Sequence, residues 1–79
     1  MDQPGEVTFK IYASLLHWAK KPEITLALSK PQKLSALLPQ LGIPEEEIAV
    51  VVRNGKQVKP DTEIVPGDTV SLFPVIDGG

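Results

Sequence analysis

Between residues 48 and 58 the chain reads IAVVVRNGKQV, two apolar runs divided by Asn54-Gly55. That pair supplies positive φ at both central positions of a type I′ turn, the turn whose twist matches the strands on either side. A hairpin is therefore predicted here, and the other apolar segments must be fitted to the sheet it begins. They have little room, because 79 residues make one domain with one core, burying only about 60% of the surface of the unfolded chain. No cysteine is present, so the fold has no disulfide, no thiolate nucleophile and no cysteine metal site.

Residues 7–12, VTFKIY, alternate strictly, with Val7, Phe9 and Ile11 on one face and Thr8, Lys10 and Tyr12 on the other. ITLALS alternates in the same way through Ile24, Leu26 and Leu28, and a hairpin with the first strand is the economical pairing. Between them ASLLHWAKKPE has no period of two and stops at Pro22, which predicts a short helical turn or loop. KPQKLSALLPQLG places Leu34, Leu37, Leu38 and Leu41 at i, i+3, i+4 and i+7, the stripe of an amphipathic helix. Pro31 is expected in its first turn and Gly42 at its C-terminal cap, while Pro39 is expected to kink or shorten the last turn. IPEEE reads as an acidic connector. KPDTEIVPGDTVSLFPV reads as a loop, a turn at Pro66-Gly67-Asp68 and a last strand with Val70 and Leu72 opposite Ser71 and Phe73. One helix across a mixed sheet of four to five strands is the α+β arrangement that buries all these faces together. With the first and last strands side by side in the middle, it is a β-grasp.

Ten acids against eight bases, a net charge of -2, do not suit a nucleic-acid binder. The N-terminus MDQPGE lacks the basic start and apolar run of a signal peptide, and the apolar stretches are too short to span a membrane. The expectation is a cytoplasmic protein.

VVVRNGKQV followed by DTEIVPGDTVSLFPVIDGG resembles the ubiquitin-like sulfur carriers of the MoaD/ThiS family: the small subunit of molybdopterin synthase and the sulfur carrier of thiamine thiazole synthesis. The resemblance covers residues 7–79 and includes the helix KLSALLPQLGIPEEE. A Gly-Gly pair is a weak signal alone. As the last two residues after a GDxVxLF strand it is more specific. LFPV and the long segment SLLHWAKKPE resemble the molybdopterin type, while the ending with Val75, Ile76 and Gly-Gly also resembles the thiamine carrier. Asp77 departs from the small residue usual before the glycines, which bears on partner identity more than on chemistry.

The resemblance implies a protein co-substrate and not an enzyme acting alone. The main-chain carboxylate of Gly79 would be adenylated by a separate ubiquitin-activating-type adenylyltransferase using ATP and Mg²⁺, then converted to a thiocarboxylate. The acceptor would be an enzyme such as the large subunit of molybdopterin synthase. Gly78, Asp77 and Ile76 would thread into the partner's channel, where residues without side chains pass most easily, and residues 74–79 would form a flexible tail. No Gly-rich loop followed by Lys and Ser/Thr is present to bind the nucleotide in this chain, so no cofactor and no metal are expected on it. A ubiquitin-like modifier joined to lysines shares the same tail, and a plain interaction module would need none of this chemistry.

Phe73, pointing away from Val70 and Leu72 beside the tail, is a candidate docking residue together with Val75, with half-buried sheet packing as the equal alternative. His17 is the sole histidine and forms no catalytic set without a carboxylate or nucleophile beside it. Glu45, Glu46 and Glu47 are adjacent and read as a solvated connector more readily than as a metal site. Arg53, Lys56 and Lys59 cluster at the hairpin, where solvated surface is a readier reading than an acidic partner.

Overall fold

A computed structural model describes residues 5–75. Its strands are β1 (Gly5–Ile11), β2 (Glu23–Leu28), β3 (Gln32–Lys33), β4 (Ile48–Arg53), β5 (Lys56–Val58), β6 (Glu63–Ile64) and β7 (Thr69–Pro74), and its α-helices are α1 (Leu16–Ala19) and α2 (Leu34–Leu41). Five strands form one mixed sheet in the order β2-β1-β7-β4-β5. β1 pairs antiparallel with β2 and parallel with β7, from Thr8 opposite Thr69 to Ile11 opposite Leu72. The first and last strands thus lie together at the centre of the sheet, the β-grasp arrangement expected from the order of elements.

The alternating residues do what their period requires. Val7, Phe9 and Ile11 of β1, Val51 of β4, and Val70 and Leu72 of β7 are buried on the inner face. Leu34, Leu37, Leu38 and Leu41 of α2 cover them, and Leu15, Leu28, Ile43, Ile48 and Ile64 complete the core. Burying each such side chain contributes about 1.5–3 kcal/mol, so this one layer of leucine on sheet supplies most of what holds the domain together.

Local chemistry explains the turns. Asn54 and Gly55 both have positive φ, 50° and 86°, as a type I′ hairpin demands. Gly67 has φ 96° and the Asp68 N–H donates to the Val65 carbonyl at 3.2 Å, making Val65–Asp68 a turn with proline and glycine at its centre. Gly42 closes α2 in the left-handed region at φ 76°.

Two expectations for α2 need correction. Pro31 lies outside its first turn. The helix starts at Leu34, and Lys33 before it is extended because Gln32 and Lys33 pair with Ile64 and Glu63 as a separate two-stranded ladder. The Leu34 N–H, with no side-chain cap to receive it, donates to the Thr62 carbonyl at 2.9 Å. Pro39 does not end the helix, which runs on to Leu41. Proline sits on the exposed side, where water can take the Ser35 carbonyl that loses its donor.

One further expectation needs correction, at the first residue of the expected tail 74–79. Pro74 belongs to β7, opposite Ile48, and the Val75 N–H donates to the Glu47 carbonyl at 3.0 Å. A proline fits because it ends the strand, and the register shifts between Ile48 and Val50 at this point, so no ladder bond is required of its missing donor.

Candidate functional site

The outer face of the sheet is divided. On the β1–β2 half the cross-strand neighbours are polar, Thr8 opposite Thr25 and Lys10 opposite Glu23. On the β7–β4 half Phe73 lies opposite Val50 and Ser71 opposite Val52. Ala49 is the extra residue of the β4 bulge and is exposed. Together Ala49, Val50, Val52, Phe73 and Pro74 line a shallow apolar groove at the end of β7 from which the chain continues toward the glycines.

Tyr12 enlarges this surface. Its ring stacks on Phe73 with centroids 4.6 Å apart and planes 7° from parallel, and it is 41% exposed. Phe73 is therefore both half-buried packing and partly presented, one aromatic plate supporting another. Val75, 53% exposed, extends the apolar surface one residue past β7. Leu16 and Trp18 of α1 are also exposed, and Leu16 shares a second recess with Tyr12 and Pro22. The sequence reading named Phe73 and Val75 and missed Tyr12, Val50 and Val52. The signal was available, since period-two alternation already set Tyr12 on the outer face.

At the opposite end of β7, Asp68 is 5% exposed and fully engaged. Arg53 Nε donates to its Oδ2 at 2.7 Å, Asn54 Nδ2 to its Oδ1 at 2.8 Å, and the Val65 N–H to Oδ2 at 2.9 Å. Asn54 Oδ1 in turn accepts the Thr69 N–H at 2.9 Å. Burial pushes the Asp68 carboxyl up, but the hydrogen bonds from Arg53, Val65 and Asn54 and the nearby Arg53 charge outweigh it and hold its pKa below the usual value. Arg53 is thus an internal strut tying the hairpin to the Pro66-Gly67 turn, and Lys56 and Lys59 of that cluster are exposed with no ion pair among the described residues.

His17 is exposed and forms a T-shaped pair with Trp18, ring centroids 5.4 Å apart. Among the described residues no three His, Asp or Glu side chains converge to hold a metal ion, Glu45–Glu47 included, and no helix is long and apolar enough to cross a membrane. Gly79, Gly78, Asp77 and Ile76 lie outside the described residues.

The profile of the ThiS family matches residues 9–79, from β1 through the terminal Gly-Gly. The chain belongs to the ThiS family. Its fold is that of small ubiquitin-like proteins. The crystal structure of SAMP1 from Haloferax volcanii superposes with a TM-score of 0.71 at 22% identity, over 95% of this chain and 100% of that one. A putative molybdopterin converting factor, subunit 1, from Pyrococcus furiosus gives 0.68 at 22% identity, over 91% and 99%. The small archaeal modifier protein 1 of Methanosarcina acetivorans gives 0.68 at 18%, over 98% and 99%. At these identities the likeness to solved structures is one of fold. Among curated proteins none matches the sequence significantly. As a member of the ThiS family the chain is a carrier type of protein, and its described surface carries a shallow apolar groove beside the end of β7.

Proposed function

We propose that this protein carries sulfur as a thiocarboxylate on Gly79. The observation that carries the reading is that the ThiS family match extends from residue 9 in β1 to the terminal glycines. The Gly79 carboxylate attacks the α-phosphate of ATP on a separate Mg²⁺-dependent adenylyltransferase, and pyrophosphate leaves. Hydrosulfide from the sulfur donor then attacks the acyl carbon, AMP departs with the bonding pair, a proton is released, and the thiocarboxylate remains. This chain's contribution is positional. β7 fixes the base of the tail, the Phe73 and Val75 surface docks on the partner, and Ile76, Asp77 and Gly78 lead the carboxylate into the enzyme's channel, where it is oriented and shielded from water.

The favoured acceptor is a molybdopterin synthase large subunit in molybdenum or tungsten cofactor synthesis, a reading supported by the long segment between β1 and β2 and by LFPV. The likeness to the Pyrococcus converting-factor subunit agrees with it. A thiamine thiazole acceptor is the alternative suggested by the family profile, and the fold shared with small archaeal modifier proteins favours conjugation to lysines as a second role. Incubation with the adenylyltransferase, ATP, Mg²⁺ and a sulfur donor, followed by intact mass measurement, tests the central step. The expected product is heavier by the replacement of one oxygen by sulfur and is absent when Gly79 is deleted. An unchanged mass with a competent adenylyltransferase rejects the reading, and adducts that survive denaturant and reductant shift it to the modifier.

A further inference from the structure

The two edges of the main sheet are built differently. β5 has three residues, begins with Lys56 and is followed by Lys59 and Pro60, the short and charged kind of edge that resists pairing with another chain. β2 has six residues, no proline or lysine, and an unbroken register with β1 from Gly5–Leu28 to Lys10–Glu23. The Ile11 N–H donates to the Pro22 carbonyl at 2.8 Å. Antiparallel alternation from that pair makes Ile24, Leu26 and Leu28 the residues bonded to β1. The backbone groups of Glu23, Thr25 and Ala27 therefore point away from the sheet, and among the described residues no strand lies on that side.

Charge marks the same edge. Lys20 and Lys21 precede β2 and Lys30 and Lys33 follow it, all exposed, and Glu23 is the sole acid between residues 10 and 33. Half of the basic residues of a net acidic chain thus bracket its longer open strand. Half-buried Ile24 and Leu26 leave an apolar shelf beside it. An incoming strand would find unpaired backbone donors and acceptors, a place for its alternate apolar side chains, and positive charge at both ends.

We propose that the free edge of β2 docks an extended segment of another protein with an apolar centre and acidic flanks, which adds to the sheet as a further strand. β1 lies between this edge and β7, whose Phe73 lines the Val50–Phe73 groove, so the edge belongs to a strand that the groove does not use and does not depend on tail chemistry.

The test is a titration of the isotope-labelled full chain with a capped nonapeptide of alternating valine and threonine flanked by two glutamates at each end, followed by amide NMR. Shifts concentrated on Glu23–Leu28, with affinity falling as salt rises, are expected. The Lys30→Glu, Lys33→Glu double variant should bind about tenfold more weakly, and a peptide flanked by lysines should not bind. Ala27→Pro removes an outward donor at an edge position that accommodates proline, so it should abolish binding with the thermal transition retained. No binding, shifts centred on Val50, Val52 and Phe73, or indifference to the lysine reversals overturns the proposal. So does a concentration-dependent dimer through β2 in the absence of peptide, which would assign the edge to a second copy.

Discussion

At the Thr69 end of β7 three segments are locked together: the Asp68 carboxylate joins Arg53, Asn54 and Val65, while the Gly67 N–H and the Asp68 carbonyl bond to Glu6 and Thr8 of β1. At the Pro74 end the bonds among the described residues are sparser. Tyr12 donates to the Leu72 carbonyl, Val75 to that of Glu47, and one aromatic stack lies exposed above them. The contrast teaches that this strand is anchored at the end remote from the tail. Stability and the proposed docking therefore fall to different residues, and substitutions should separate them.

The largest effect is expected at Asp68. Asp68→Ala leaves Arg53, Asn54 Nδ2 and the Val65 N–H without their acceptor and should cost about 3 kcal/mol, read as a lower denaturant midpoint with an unchanged m-value. The same carboxylate makes stability pH-dependent. Its folded pKa is depressed, so the unfolded chain binds its proton more readily; the stabilisation is complete above the unfolded value of about 3.9 and is lost as pH falls through the folded pKa. Acid titration of Asp68→Asn should lack that component.

Gly5→Ala comes next. A Cβ there would lie 2.2 Å from Cβ of Pro66, forcing β1 and the turn apart at about 2 kcal/mol, measurable as a drop in Tm. Phe73→Ala, at the other end, should cost only about 1 kcal/mol through the lost stack yet weaken the adenylyltransferase complex about tenfold or more, as calorimetric titration would detect. A large loss of thermal stability with unchanged partner affinity would erase the contrast between the two ends.

Most of the central sheet was legible because its rules are local. The alternation at Val7, Phe9 and Ile11, the leucine stripe of α2 and the Asn54-Gly55 turn each declare themselves within a few residues. What escaped depends on distant partners. Gln32–Lys33 and Glu63–Ile64 are too short to carry a period and pair only because the fold brings them together, and this displaced Pro31 from the helix start. Asp68 reads as an ordinary turn aspartate until Arg53, fifteen residues away, is seen beside it. Ala13 and Lys20 adopt positive φ, 54° and 71°, without the glycine or asparagine that would announce it. At the site, Phe73 was visible from its parity, but its partner Tyr12 and the bulge at Ala49 required the register of three strands.

The parallel pairing of β1 with β7 also governs when the domain can form during synthesis. Thr8 waits for Thr69, so nearly the whole chain must leave the ribosome before the middle of the sheet can close. Contacts so far apart in sequence carry a loop-closure cost before any of their energy returns, which slows folding relative to helical domains of this size. A nascent chain cut short before β7 lacks the central strand and has no native state to reach.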